Sequence, residues 1–238
     1  MKEKVVWLRD PREVVYSAER LALLGRLREE AERLGRALGH GWHVHGSIAR
    51  GDVKKGSDID IVFLGSGEMP SYRVEMDLER ACLGWTQREV VMATPNSTPK
   101  GHIHFGEEAT VTFPLACFRP QEEAFYRFGG VLPADNLTRA PRIPGVNKKL
   151  LLIIPTENGH LESSIHGREA ETARLLGIGA DVVHERVRVL ARRDRVGRTG
   201  VFLREVVPEG GSFEEALKFL SDRDPAVRRA TGGRGRRK

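Results

Sequence analysis

Apolar residues recur at three- and four-residue intervals at Leu21, Leu24, Leu27, Ala31, Leu34 and Leu38, with Arg and Glu between them. That spacing predicts an amphipathic helix from about Ser17 to Leu38, stopped by Gly39 and Gly41. Trp42-His43-Val44-His45 then alternates apolar and polar positions as a strand does, and it runs straight into Gly46-Ser47. Ser47 through Gly51 reads as a short helix. The run Ile61-Val62-Phe63-Leu64 is the next strand, and side-chain alternation sets Asp58 and Asp60 on one face with Ile59 on the other. After a loop at Gly65-Ser66-Gly67 and Pro70, a helix is expected from Ser71 to Cys82. Glu89-Val90-Val91-Met92-Ala93 comes next as a strand, and a Pro-Asn-Ser turn leads to two more, His102 to Phe105 and Thr110 to Phe113. These elements predict an α/β (α+β) domain over residues 1–118, a mixed sheet flanked by helices.

The stretch from Phe125 to Gly145 holds Gly129, Gly130, Pro133, Asn136, Pro141, Pro144 and Gly145, a composition that reads as a linker over 119–147. Beyond it, Leu150 to Ile154 is a strand candidate. Arg168 to Leu176 and Asp181 to Arg192 are helix candidates joined across Gly177-Ile178-Gly179, with Ala173 small enough for close approach and Val183 and Val187 as a buried face. A basic hairpin through Arg192–Gly200 then turns into Val201-Phe202-Leu203. Two helices across a glycine turn and then a basic hairpin predict a small winged helix-turn-helix-like domain over 148–209. Residues 210–238 are read as a basic, disordered tail, because Arg228, Arg229, Arg234, Arg236, Arg237 and Lys238 have no acidic residue among them.

Composition narrows the setting. The 238 residues carry 39 Lys+Arg against 33 Asp+Glu, a net charge of +6 that favours polyanionic partners. Two cysteines, Cys82 and Cys117, are too few for a disulfide framework, and Lys2, Glu3, Lys4 and Arg9 leave no apolar signal-peptide core. With no apolar run of bilayer length, the expectation is a cytoplasmic protein with no membrane partner.

Candidate chemistry concentrates in His45-Gly46-Ser47-Ile48-Ala49-Arg50-Gly51-Asp52 and Ser57-Asp58-Ile59-Asp60. A Gly-Ser turn opening a helix presents backbone N–H groups suited to phosphate, and two carboxylates on one strand face collect divalent metal. The Gly-Ser-x-Ala-Arg-Gly and Ser-Asp-x-Asp patterns, over Trp42 to Leu64, resemble the signature of the polymerase-β nucleotidyltransferase superfamily, especially its minimal prokaryotic members. The resemblance implies that Gly46, Ser47 and Arg50 contact the triphosphate of an NTP. It also implies that Asp58, Asp60 and a third carboxylate hold two Mg²⁺ ions, or Mn²⁺, roughly 3.5–4 Å apart. Glu89, at the start of an apolar strand after the intervening helix, is the first choice for that third acid, with Glu107 and Glu108 as alternatives. Arg50 has a second reading as the partner of Asp58. Two His-x-His pairs, His43 with His45 and His102 with His104, would form a zinc site if their strands were neighbours.

The implied function is transfer of an NMP from an NTP to the hydroxyl of an unidentified acceptor. Arg186, Arg188, Arg192, Arg195 and Arg198 are candidates for DNA or RNA backbone contacts. The alternative is a DNA-binding regulator whose nucleotidyltransferase-like domain senses nucleotide without turnover. A third reading, one half of a toxin–antitoxin pair, is disfavoured by the extra C-terminal domain.

Overall fold

The computed structural model describes residues 4–7, 10–64, 71–137, 142–197 and 200–232. The chain forms two compact units that alternate along it. The first takes Met1–Glu30, Val44–Ser57 and Glu123–Thr199, the second Ala31–His43, Asp58–Glu122 and Gly200–Lys238. In order, the elements are β1 (Arg12–Val15), α1 (Ala18–Ala37), β2 (Trp42–His45), α2 (Ser47–Arg50), β3 (Ile59–Phe63), α3 (Ser71–Arg80), β4 (Gln87–Met92), β5 (Lys100–Phe105) and β6 (Ala109–Pro114). They continue with α4 (Pro120–Gly129), β7 (Val131–Pro133), β8 (Gly145–Val146), β9 (Leu151–Thr156), β10 (Gly159–Ser164), α5 (Glu169–Leu176), α6 (Ala180–Val196), β11 (Leu203–Val206), α7 (Phe213–Arg223) and α8 (Pro225–Thr231).

The second unit is built on a mixed sheet in the order β11-β4-β5-β6-β3-β2. β3 and β6 run parallel, with Asp60 opposite Thr110, while β6, β5, β4 and β11 pair antiparallel. One face is apolar: Ile59, Ile61, Phe63, Val90, Met92, Ile103, Val111 and Phe113 are all buried. The helices supply Val74 and Leu78 from α3 and Phe213, Leu217 and Leu220 from α7, also buried. Each such side chain contributes about 1.5–3 kcal/mol relative to exposure. Phe113 and Phe213 meet edge to face with centroids 5.0 Å apart. A Cβ at Gly101 would come within 2.5 Å of the Phe113 ring, so the close approach of β5 to this pair requires glycine there.

The first unit holds an antiparallel sheet in the order β1-β10-β9-β8. Its core gathers Val5, Phe128, Val146, Leu150, Leu152, Ile165, Ala173 and Val183. The α5–α6 corner forms at Gly177, whose φ of 62° is left-handed, and Ile178 N–H donates to Ala173 O at 3.0 Å. Ala173 and Val183 are buried there, as the small and branched positions of the two helices suggest.

Three expectations change. The stretch read as a linker contains α4, with Tyr126 and Phe128 buried, and β7 and β8; its glycines serve turns and close contacts instead of flexibility. Pro141, also counted there, lies outside the described residues. The strand after α6 does not complete a winged helix. A wing must pair within its own domain, but β11 pairs with β4, Leu203 opposite Met92 and Val206 opposite Glu89. The tail from 210 is not disordered throughout. Ser212 caps α7 in a reciprocal box with Glu215, Asp224 caps α8 with Pro225 in its first turn, and Phe213, Leu217, Leu220, Ala226 and Val227 are buried. Arg234, Arg236, Arg237 and Lys238, and the loop at Gly65–Gly67 and Pro70, lie outside the described residues. Among those described, no helix is long and apolar enough to cross a membrane.

Candidate functional site

The Gly46 turn belongs to the first unit. Gly46 has φ 77° and ψ −137°, a conformation open essentially to glycine alone. Its N–H donates to Gly130 O at 2.9 Å, so that donor is committed to the fold. Arg50 N–H to Gly46 O at 3.0 Å and Gly51 N–H to Ser47 O at 2.7 Å close the single turn of α2, and Ser47, half-buried, opens it. Gly51, at φ 92°, ends it. Arg50 is buried and points back into the protein. It donates to Gly129 O and pairs with Asp52 at 2.9 Å, which resolves its partner as Asp52, not Asp58. Gly145 makes room for it, since a Cβ at that position would stand 2.9 Å from Arg50 Cδ.

The carboxylates belong to the second unit. Asp60 projects from β3 on the face opposite Ile59, which is buried, and Asp58 stands exposed just before the strand. Residues opposite one another share a face, so the register assembles a polar surface. One row runs Asp60, Thr110, His104, Gln87, and the next Val62, Thr112, His102, Glu89. Glu89 therefore lies three strand spacings from Asp60, about 14 Å at the usual separation of neighbouring strands. That is too far to share ions roughly 4 Å apart.

Glu89 is also fully engaged. Arg204 grips it with two bonds, Nε to Oε2 at 2.6 Å and Nη2 to Oε1 at 3.0 Å. His104 Nε2 meets Oε1 at 3.1 Å, and Gln87 adds a third donor at 3.1 Å. Burial pushes the Glu89 carboxyl up, but the Arg204 and His104 bonds outweigh it and hold the group below the usual carboxylate range. Glu108 is differently placed. It immediately precedes β6, one step beyond the Ile59–Ala109 pair, and its carbonyl accepts from Ile59 N–H at 2.7 Å, which sets it beside Asp58. Glu107 and Glu108 are both exposed.

On β5, His104 Nδ1 contacts Thr110 Oγ1 at 3.1 Å and His102 Nδ1 contacts Thr112 Oγ1 at 3.1 Å. Burial first, with the charges of Lys100 and His104 adding to it against Glu89, drives His102 down to about 4. The zinc reading is overturned, because β6 and β3 separate β5 from β2. Among the described residues no group of three or more His, Cys, Asp or Glu forms a preassembled metal cage.

Residues 24–111 match the nucleotidyltransferase domain family model. The matched span contains both the Gly46-Ser47 turn and the Asp58–Asp60 strand, and it supports the nucleotidyltransferase superfamily and nucleotidyl transfer in general for this part of the chain. No curated protein and no solved structure matches the chain.

The basic helix α6 divides in two. Arg186 is half-buried with its guanidinium 4.6 Å over the Phe125 ring, and burial brings it down to about 10, still a cation at neutral pH. Its guanidinium packs on that ring, unlike the exposed arginines further along the helix. Arg188, Arg192 and Arg195, spaced four and three apart on one helix face, are exposed. Arg198 lies outside the described residues. Sequence reasoning missed Arg204, Thr110 and Thr112. The alternation of Thr110 and Thr112, and of His102 and His104, signalled a polar sheet face, but not which strands would share it.

Proposed function

We propose that this protein is a metal-dependent nucleotidyltransferase that moves an NMP from an NTP to an acceptor hydroxyl. The observation that carries the reading is Asp60 on a half-exposed strand face, with Asp58 beside it, inside a span matched by the nucleotidyltransferase domain family. Asp58, Asp60 and Glu108 are hard oxygen donors that suit Mg²⁺ or Mn²⁺, and Glu108 replaces Glu89 as the third acid. Asp58, Asp60 and Glu108 would hold such a metal, which would supply neutralisation of charge on the phosphates and on the attacking oxygen.

The chain's own part is positioning. Ser47 offers a hydroxyl and, with Ile48, N–H groups in the first turn of α2, while Gly46 and Arg50 keep that turn in shape from behind. The exposed Arg188, Arg192 and Arg195 stripe favours a polyanionic acceptor such as nucleic acid, which we propose as its partner. The test is label transfer from α-labelled NTP with Mg²⁺ to cellular RNA, DNA and protein. Transfer lost in Asp58→Asn with Asp60→Asn and retained in Glu89→Gln supports the reading. NTP bound without transfer by the unaltered protein to any of these supports the sensor alternative instead.

A further inference from the structure

Thr110 stands directly opposite Asp60 on the neighbouring parallel strand, and its hydroxyl is wired to an acid through an imidazole. Glu89 is ionised and held from behind by Arg204, so it only accepts hydrogen bonds. In the neutral imidazole, the proton of His104 then sits on Nε2, 3.1 Å from that carboxylate, and Nδ1 is the acceptor for the Thr110 hydroxyl at 3.1 Å. The polarity runs Thr110 O–H to His104, His104 N–H to Glu89, with Arg204 closing the row. This is the arrangement that activates a hydroxyl nucleophile: a base within reach, itself oriented by an acid.

We propose that Thr110 is a self-modification site, accepting a nucleoside monophosphate from an NTP bound at the Asp60 face. Thr110 Oγ forms a bond to the α-phosphorus, the bond from that phosphorus to the bridging oxygen breaks, and pyrophosphate leaves with the electron pair. The Thr110 proton passes to His104 Nδ1. The inference rests on the nucleotidyl-transfer reading above. It also explains why Glu89, too distant to hold metal with Asp60, is buried in a three-donor cradle.

A built-in control sits one row away. Thr112 makes the same 3.1 Å contact with His102, but it is buried, lies opposite Val62 instead of an aspartate, and among the described residues its imidazole has no hydrogen bond to a carboxylate. Thr112 remains unmodified.

The experiment incubates the full chain with each NTP and Mn²⁺, reading intact mass, the modified peptide and, in parallel, NTP binding by calorimetry. One NMP on Thr110 is expected, absent in Thr110→Val, about 10²-fold slower in His104→Gln, and present in Thr112→Val. Valine is nearly isosteric and favours strands, and a thermal melt of each variant confirms folding. NTP bound without an adduct, or an adduct on another residue, overturns the inference and leaves the transfer reading standing. No NTP bound by the unaltered protein overturns both.

Discussion

The Gly46–Arg50 turn of the first unit is held by backbone hydrogen bonds and a guanidinium buried behind it, whereas the polar sheet face of the second unit is held by side chains bonding across strands. The turn's chemistry is local: a glycine in a conformation of its own, one helical turn, and an arginine that reaches Asp52 two residues away. The sheet face draws on β3, β6, β5, β4 and β11, and its key contact joins residues 115 apart in sequence. Local devices are dictated by motif and spacing, but a face assembled by strand order is dictated by topology. That difference separates the substitutions each region tolerates.

Substitution at Arg50 tests the turn most severely. Arg50→Met leaves the Asp52 carboxylate without its cation and Gly129 O without its donor, both largely buried, and is expected to cost about 3 kcal/mol or more by urea denaturation. A cost below about 1 kcal/mol would mean that the turn does not depend on this buried pair. The sheet face offers a pH test of similar size. The imidazole of His102 titrates near 4 in the fold and about 6.5 unfolded, so protonation favours the unfolded chain. Its stability contribution is full above pH 6.5 and is lost as pH falls toward 4, about 3 kcal/mol in all. Denaturation at pH 7 and pH 4.5 should show that loss, and His102→Gln should flatten it; an equal slope in the variant assigns the loss elsewhere. Gly46→Ala is the mildest, about 2 kcal/mol of backbone strain at φ 77°.

Legibility in the sequence divides along the same line. α1, β2, α2 and β3 stand where hydrophobic period and glycine punctuation put them, and Asp60 faces away from Ile59 as alternation requires. Glu89 was misjudged because an acid before an apolar strand says nothing about how many strands will separate it from Asp60. Insertion of β6 and β5 between β3 and β4 settled that, and parallel pairing of β3 with β6 brought Glu108 forward instead. The C-terminal helices were legible and overlooked: Ser212-x-x-Glu215 is a capping box, and Phe213, Leu217 and Leu220 recur at helical spacing. The basic residues around them suggested a solvated tail, but charge on one helix face does not preclude burial of the other. The strand taken for a wing was placed at Val201–Leu203, whereas β11 spans Leu203–Val206, and it was assigned to the wrong sheet, since pairing partners 100 and more residues away leave no local mark.

The central claim is that the acids serving nucleotidyl transfer are Asp58, Asp60 and Glu108, with Glu89 given over to the His104 and Arg204 network. Mn²⁺ binding monitored by electron paramagnetic resonance tests it without any acceptor. The account predicts that Asp60→Asn and Glu108→Gln each weaken Mn²⁺ binding by about tenfold or more, while Glu89→Gln leaves it within about twofold. Loss of Mn²⁺ in Glu89→Gln with full binding in Glu108→Gln would contradict it.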